Sequence, residues 1–525
     1  VPQDPNAQTP LPDASRKTCA NAATLLVGTP ESVRLLANQM GLLPQTPPAV
    51  GCVLLEESNY RTIATLPVLG FIRDLGLIAR SQRASHQVGS ALVCLPAAVA
   101  DRAPGITAAL KSAGLAVRFI TPLDEQLEGT AAPITTGAVS IDVGSLIGRT
   151  PYGIDRRVVS RAITGKKVLV TGAGGSIGSE IVRICATFNP SQILLMERSE
   201  NALFEIDRQL RARFPDIQRK ALLHDVVDAE QTARLLASLR PDAVFHAAAH
   251  KHVPLMEDHP AHAVTNNLFG TKSIADAALA CGAERFVLIS SDKAVNPTSV
   301  MGATKRLAEM YIQSLHKETR ASGKGATSFS MVRFGNVLGS ACSVLPIWTT
   351  QMQEGGPVTV TDPRMTRYFM TIPEAASLVI QAGAIDLSRE PAAAVYVLDM
   401  GEPVRILDLA RRFIRAHGFE PVVRDADTEL APTTTGLPAM EVRLSGARPG
   451  EKLHEELAYA AEQLRATPFP GINAWARATS TPASIAALLA DMNAARASSD
   501  HALVVSLIRK HVPEMIAPES STRAA

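Results

Sequence analysis

The chain has 525 residues, enough for roughly three to four domains of ordinary size, and 46% of them are hydrophobic, so it can build buried cores. That excludes a disordered linker or a peptide hormone. Lys and Arg total 52 against 50 Asp and Glu, a formal charge of +2, which excludes a global positive field for holding nucleic acid or an anionic membrane; any anionic ligand must be held locally. The six cysteines, Cys19, Cys52, Cys94, Cys185, Cys281 and Cys342, contain no CxxC pair, which argues against a zinc ribbon or redox dithiol and fits a reducing compartment.

Residues 1–20 are polar and Pro-rich and read as a loose leading segment. The chain starts at Val1, with no apolar run of 18 residues anywhere, so it is expected to be soluble as given. The missing initiator Met leaves room for an upstream membrane region. A small α/β domain is expected over 21–135, because AATLLVGTPESVRLLANQM (22–40) opens a βαβ unit and AVGCVLL (49–55) and ALVCLPAA (91–98) read as buried parallel strands. Its first turn, Gly28-Thr29-Pro30-Glu31, lacks a full GxGxxG, so the domain reads as a degenerate Rossmann-like one. Residues 136–165, with Gly, Pro and paired arginines, read as a linker.

From 166 the alternation is regular. KKVLVTGAGGSIGSEIVRICATF (166–188), QILLMER (192–198), PDAVFHAAAH (241–250) and ERFVLISSDKA (284–294) are strands separated by helical stretches, which predicts a doubly wound parallel sheet of Rossmann type with its ligand at the carboxyl strand ends. A catalytic domain is expected over 166–460, its smaller substrate lobe drawn mainly from 340–460; residues 461–525 read as low-information helices with a frayed end.

The glycines of Thr171-Gly-Ala-Gly-Gly-Ser-Ile-Gly178 fit a dinucleotide turn. Gly172 makes the tight turn, Gly175 lets backbone approach the phosphates and Gly178 lets the helix close on the sheet, while Ser176 and Ile177 start a helix facing the pyrophosphate. Glu197 ends the second strand, where a carboxylate accepts from ribose hydroxyls and repels a 2′-phosphate; NAD is favoured over NADP, with Arg198 softening the preference. Asp225 and Val226 are placed at the adenine edge, a solvated loop Asp being the alternative, and Ala247 is placed against the cofactor. In the loop after it, Lys251 between His250 and His252 makes a poor metal cage, so no metal is expected and the loop is assigned to the nicotinamide and substrate border.

Ser290, Ser291, Asp292 and Lys293 fall at a carboxyl strand end, where reacting groups belong in this architecture, against a surface ion pair as the bland alternative. Met301 and Lys305, one helical turn apart, share a face. The stretch SSDKAVNPTSVMGATKR, together with TGAGGSIGSE, RFGNVLGS, GGPVTVTDP, TRYFM and RPGEKLHEEL, resembles the bacterial UDP-N-acetylhexosamine 4,6-dehydratases of the large membrane-associated polysaccharide-biosynthesis class, in the extended short-chain dehydrogenase/reductase superfamily. The usual Tyr-x-x-x-Lys stands here as Met301-Gly-Ala-Thr-Lys305. Members of that class carry transmembrane helices upstream, so the resemblance implies a cytoplasmic domain of an inner-membrane protein, and it implies a homo-oligomer.

The resemblance implies NAD as cofactor, a UDP-N-acetylglucosamine-type substrate and a 4-keto-6-deoxy product with C5 configuration retained. A thioether cannot serve as base, so the proton chemistry must lie elsewhere, and the resemblance implies Asp292 as acid at the C6 hydroxyl and Lys293 as C5 base. Lys293 is then expected to be partly neutral, with Ser291 on the 4-hydroxyl and Lys305 on the nicotinamide ribose. Substrate contacts are expected from Lys251 and His252. Asn267 is expected to position their loop. Arg333 with Asn336, and Arg448, are expected at the diphosphate, with Arg367 as a further candidate or an internal ion pair, and with Glu451 and Glu455 orienting the arginines or the uridine ribose. Cys342 stands where the class commonly has glycine. A C5-inverting dehydratase and a 4-epimerase are the enzyme alternatives, and a cofactor-binding scaffold the non-enzyme one.

Overall fold

The computed structural model describes residues 23–41, 48–86, 88–95, 103–119, 146–322, 327–385, 394–424, 438–448, 450–459, 464–475 and 484–516. The chain divides into two units, Val1–Ser140 and Ile141–Ala525. The expected loose segment 1–20 and residues 136–145 of the expected linker lie outside the described residues.

In the first unit, β1 (Ala23–Gly28), β2 (Ala49–Leu54), β3 (Thr62–Ile63), β4 (Leu66–Phe71), β5 (Val88–Cys94) and β6 (Ala116–Phe119) form a sheet of order β3-β4-β2-β1-β5-β6. All its pairs are parallel except the β3–β4 hairpin. A Cβ on Gly28 would lie 2.5 Å from Ser32 Oγ and 2.8 Å from the Cys94 carbonyl. The Ser32 N–H donates to Thr29 Oγ1 at 3.2 Å, so the turn after β1 is filled by its own side chains.

The second unit is built on β7 (Lys167–Thr171), β8 (Gln192–Glu197), β9 (Arg219–Leu223), β10 (Ala243–His246), β11 (Arg285–Ile289) and β12 (Ser328–Arg333). After β12 the chain leaves the sheet for β13 (Asn336–Leu338), β14 (Val358–Val360), β15 (Thr366–Arg367) and β16 (Phe369–Thr371), then returns as β17 (Ala394–Leu398). It leaves again as β18 (Val404–Arg405), β19 (Glu420–Arg424) and β20 (Ala439–Leu444), and returns as β21 (Leu464–Ala466) and β22 (Ile472–Trp475). The large sheet has the order β21-β22-β17-β12-β11-β10-β7-β8-β9. Seven strands are parallel, and β22 and β21 close the far edge antiparallel. The strand order reverses between β7 and β10, the switch point at which a ligand crevice opens.

Period-two alternation assigns side chains to the two faces of this sheet. Leu169, Leu194, Val244, Phe286 and Phe329 pack on one face with the helices Gly270–Cys281 and Val300–Ser322. Val168, Val170, Ile193, Phe245 and Val287 pack on the other with Ser176–Ala186 and Ile372–Ala384. The smaller lobe has its own core around Trp348, Val358, Phe413 and Val442, and its sheet runs β14-β20-β19.

Three expected boundaries are corrected. The expected linker packs on the sheet over 146–165 and holds a helix: Asp155 caps Arg156–Ile163, accepting from Arg157 and Val158 N–H, and Val159 and Ile163 are buried in the sheet's core. The helix Ile372–Ala384 and β17 belong to the main sheet rather than the lobe. The sheet continues past 460 as β21 and β22, and the expected helices, Ile485–Ala497 and His501–His511, bury Leu488, Met492, Val504 and Ile508 beside Met301 and Val300; the expected frayed end beyond Ile516 lies outside the described residues. The sequence signal was weak there because Ala-rich helices show little amphipathic contrast.

One buried ion pair crosses these layers. Arg333, fully buried at the end of β12, donates to both oxygens of Glu309 at 2.8 Å each, and Glu309 also accepts from Ser290 Oγ at 2.7 Å and Arg306 Nη1 at 3.3 Å. Removing one partner strands a buried charge and costs about 3–5 kcal/mol. Glu309→Gln and Arg333→Met are each expected to lose about that much in urea unfolding, and the double variant is expected to recover part of it, because it leaves no unpaired carboxylate or guanidinium at this point.

Candidate active site

The crevice at the switch point begins with Thr171 and His246, which pair across β7 and β10. His246 lies between the hydroxyls of Thr171, 2.7 Å away, and Thr271, 3.0 Å away. Burial, with the Lys305 charge adding, pushes its imidazole down to about 3. It is a neutral spacer under the crevice, a role unnoticed in the sequence because no motif surrounds it.

The turn after β7 is tight in the way close approach demands. Gly172 has φ +63°, and a Cβ there would lie 2.8 Å from the Ala248 amide nitrogen; a Cβ on Gly178 would lie 2.1 Å from the Gly172 carbonyl oxygen. No side chain caps the helix that Gly175 opens, so the first amide groups around Ser176, Ile177 and Gly178 remain for an anion. Ser176 Oγ accepts from the Ala341 N–H at 3.0 Å, and Lys251 Nζ donates to the Ala341 carbonyl at 2.8 Å. The 340–343 loop therefore joins the glycine turn to the Lys251 loop. Cys342, at its tip, is exposed and left-handed at φ +55°, a conformation suited to the glycine that its position commonly carries in the resembled class.

Glu197, at the end of β8, accepts three amide N–H groups, from Gly174 at 3.2 Å, Arg198 at 3.0 Å and Ser199 at 3.1 Å. It braces the glycine turn and keeps acceptor capacity for ribose hydroxyls. Arg198 reaches Asp225 at 3.8 Å and Asn266 Oδ1 at 3.4 Å across the same rim. Val226 is corrected: it is 5% exposed and packed in the core, with a Cβ on Gly270 placed 3.0 Å from it, so only Asp225 of that pair is open to a ligand. Ala247 follows β10 and its N–H donates to the Thr171 carbonyl. Asn267 is 1% exposed; its amide accepts from the His250 N–H at 2.8 Å and donates to the His250 carbonyl at 3.1 Å and to Thr304 Oγ1 at 3.1 Å. It holds the 247–252 loop rather than touching a substrate. His252 caps the helix Val253–Asp258 by position, and burial, with the charges of Lys251 and Arg448 adding, lowers its imidazole.

The expected reacting groups, Ser291, Asp292 and Lys293, come together at the end of β11. Ser291 caps a single turn, Asp292–Ala294. Its hydroxyl donates to Asp292 Oδ1 at 2.8 Å, and Lys293 Nζ reaches the same oxygen at 3.0 Å, Asn336 Oδ1 at 3.1 Å and Glu455 Oε1 at 3.4 Å. Asp292 is fully buried with Oδ2 unpartnered, and Glu455 keeps an unpartnered buried Oε2. Burial raises the Asp292 carboxyl above its ordinary range; the Lys293 ammonium opposes the rise and the Glu455 charge adds to it. Burial alone would lower Lys293, but the Asp292 and Glu455 carboxylates outweigh it and hold the ammonium above its usual range. This corrects the expected partly neutral lysine.

Lys305 behaves oppositely. Burial brings its ammonium down to about 8 against the weaker pull of Glu309, and Nζ donates to the Ile289 carbonyl at 2.7 Å. Met301 is 3% exposed, in the apolar core with Val300 and Leu307.

A pocket of about 130 Å³ opens beside Lys293, lined by Asn336, Arg367, Glu451, Lys452 and Glu455 among others. Arg367 Nε lies 3.7 Å from Glu455, and its Nη1 donates to the Thr366 carbonyl at 2.7 Å. Arg448 is exposed and forked onto Glu451, with Nη2–Oε1 2.6 Å. The expectation for Arg333 is overturned: its guanidinium is consumed by Glu309 inside the fold and cannot meet a phosphate. RFGNVLG showed an arginine near a reacting strand, but its inward direction depended on a carboxylate 24 residues earlier. Glu455 is the reverse case, a residue of RPGEKLHEEL whose contact with Lys293 was not legible from spacing.

A sheet of this order, with a glycine turn after its first strand and a buried lysine one turn into the helix after its fifth, defines a Rossmann-type short-chain dehydrogenase/reductase fold. Residues 168–476 match the family described as polysaccharide biosynthesis protein, and the chain belongs to that family. It is 41% identical over 463 residues to the probable polysaccharide biosynthesis protein EpsC of Bacillus subtilis strain 168, covering 87% of this chain and 72% of that one. It is 29% identical over 297 residues to the UDP-N-acetylglucosamine 4,6-dehydratase (inverting) of Campylobacter jejuni subsp. jejuni serotype O:2, covering 55% of this chain and 76% of that one. The X-ray structure of Pen from Bacillus thuringiensis superposes with a TM-score of 0.51 at 31% identity, covering 59% of this chain and 87% of that chain.

The glycine cradle gives a direct test. Gly178→Ala forces a methyl into the Gly172 carbonyl, and displacing the turn by the 1–3 kcal/mol typical of overpacking is expected to weaken dinucleotide binding about 10- to 100-fold. Titration calorimetry with NAD checks this, with an unchanged circular dichroism spectrum as control.

Proposed function

We propose that the chain is an NAD-dependent UDP-N-acetylglucosamine 4,6-dehydratase that retains the C5 configuration. The observation that carries this reading is the Asp292–Lys293 pair, a raised carboxyl and an amine 3.0 Å apart beside a pocket, with a methionine where a tyrosine base would stand. The Campylobacter relative, named as an inverting enzyme, supports the substrate and reaction class but not the retained configuration, which rests on the resemblance to the large membrane-associated class.

The residues fit NAD: the glycine turn and uncapped helix would hold its pyrophosphate, Glu197 its adenosine ribose, and Lys305 its nicotinamide ribose. Bound there, NAD supplies a hydride acceptor for C4 of the hexose and a donor for C6. Ser291 orients the 4-hydroxyl, whose proton leaves to solvent as the C4 carbonyl forms. The new C4 carbonyl acidifies the C5 proton, which makes loss of the C6 hydroxyl feasible.

One proton passing from Lys293 Nζ to Asp292 Oδ1 turns the resting ion pair into a neutral amine and a carboxylic acid, which are the base and acid that elimination needs. Lys293 then takes the C5 proton, and Asp292 gives its proton to the departing hydroxyl as water. Elimination restores the ion pair, and the Lys293 ammonium exchanges with solvent. Return of a proton from Lys293 to the same face of C5 retains the configuration, and the amine then takes one proton from solvent to recover its resting state. The diphosphate is assigned to Arg367, Lys452 and Arg448, the cations at and beside the pocket.

Epimerisation needs neither a C5 base nor a C6 acid, so the Asp292–Lys293 pair disfavours it. Proton NMR with UDP-N-acetylglucosamine and NAD in deuterated buffer is expected to show a new C6 methyl signal, deuterium at C5 and gluco couplings. An inverted C5 overturns the stereochemical reading alone, and a galacto sugar without a methyl group overturns the dehydratase reading. Lys293→Met is expected to lower kcat by about 10²–10⁴-fold, the range for a lost acid–base group.

A pH dependence follows from Lys305. Its ammonium is intact at pH 7 and is lost as pH rises through about 8. The kcat/KM is therefore expected to be flat below that point and to fall about tenfold per pH unit above it.

A further inference from the structure

The turn that carries Asp292 and Lys293 is short, with three backbone bonds of its own surroundings: Asp292 N–H to Phe334 at 3.1 Å, Ala294 N–H to Ser291 at 3.2 Å and Val295 N–H to Asp292 at 2.9 Å. Such a turn is not rigid by itself, and a displacement of about 1 Å at reacting groups can cost 10²-fold in rate. The residues that stiffen it come from the last described residues of the chain. Glu514 Oε1 accepts from Arg306 Nε at 3.0 Å and lies 3.3 Å from the Tyr459 hydroxyl, whose one proton is shared between it and the Ala294 carbonyl. Arg306 extends this contact to Glu309, which holds Ser290, the residue before Ser291. The Tyr459 hydroxyl also lies 3.1 Å from the Ala294 carbonyl, inside the turn. The Ile516 N–H donates to the Pro297 carbonyl at 3.0 Å, just after it. Val512 and Met515, both buried, anchor this segment in the core that contains Val300 and Met301.

We propose that Glu514–Ile516 is a positioning element of the catalytic centre, tied to the segment 290–297 before and within the turn that presents Asp292 and Lys293 through Arg306–Glu309 and Tyr459, and after it directly by the Ile516 N–H. The family match ends at residue 476, so the brace is supplied from outside it. Glu514 reaches the reacting groups only through Arg306 and Tyr459, and the Ile516 contact is made by backbone. The proposal rests on the dehydratase reading for its kinetic consequence but not for its structural one.

Three variants of the full chain test it: Glu514→Ala, Glu514→Gln, and Ile516→Pro, which deletes the donor to Pro297. Hydrogen exchange of the amides at 292, 294 and 295 is expected to quicken in Glu514→Ala and Ile516→Pro. With UDP-N-acetylglucosamine, kcat is expected to fall about 10-fold in Glu514→Ala while KM and the affinity for UDP stay within about twofold. Glu514→Gln keeps the acceptor oxygen and is expected to lose less. If Glu514→Ala fails to fold, Ile516→Pro and Glu514→Gln carry the comparison. Wild-type exchange and wild-type kcat in the folded variants overturn the proposal, as does a loss confined to melting temperature. If the wild-type protein leaves UDP-N-acetylglucosamine unchanged, the dehydratase reading fails, and the exchange rates alone still decide for or against the brace.

Discussion

The buried carboxylate of Glu309 is the contact on which the second unit depends. It sits at zero exposure within the long helix Val300–Ser322 and is charged despite burial, because Arg333 and Arg306 lower its carboxyl against the desolvation that would raise it. Desolvated charges are tolerated only when hydrogen-bonded on most sides, and here the donors come from three elements: Arg333 from β12, Arg306 from the same helix, and Ser290 from the end of β11. Each guanidinium also lies over an aromatic ring, Arg333 over Trp475 at 5.4 Å and Arg306 over Tyr459 at 5.7 Å. The sheet, its central helix and the strand end that presents Ser291 are thereby set by one charge.

Moving away from that centre, electrostatics separates two lysines in one crevice. Lys293 has two carboxylates within 3.4 Å and stays an ammonium, whereas Lys305 is buried against a backbone carbonyl and titrates near 8. The same residue type takes opposite states because one site offers compensating charge and the other offers mainly desolvation. Met301, on the helix that carries Lys305, adds only apolar packing to the core with Val300 and Leu307. Under the dehydratase reading, this division leaves Lys293 for proton transfer and Lys305 for holding a cofactor in place.

Cys342 shows how a local departure is absorbed. A side chain in the left-handed region costs about 1–2 kcal/mol, yet the loop is tied at the neighbouring Ala341 by Ser176 and Lys251, and Cys342 itself is exposed. Two hydrogen bonds from separate loops hold the backbone where glycine would have gone without strain.

Much was legible along the chain. Strand–helix alternation, the glycine spacing and the Ser291-Asp292-Lys293 stretch are local patterns, and local patterns determine local structure: period two selects strands, and a Cβ-free turn permits the approach that Gly172 and Gly178 make. Direction and partnership were not legible. The sequence could not say that Arg333 turns inward to Glu309, that Glu455 closes on Lys293, that Val226 belongs to the core, or that residues 485–516 cover the helix beginning at Val300. Those outcomes depend on which charges and apolar faces meet across long stretches of chain, 24 residues for Arg333 and Glu309 and 208 for Arg306 and Glu514, and a side chain's partner and a charge's protonation state are set by distance and burial in three dimensions, neither of which is written in residue order.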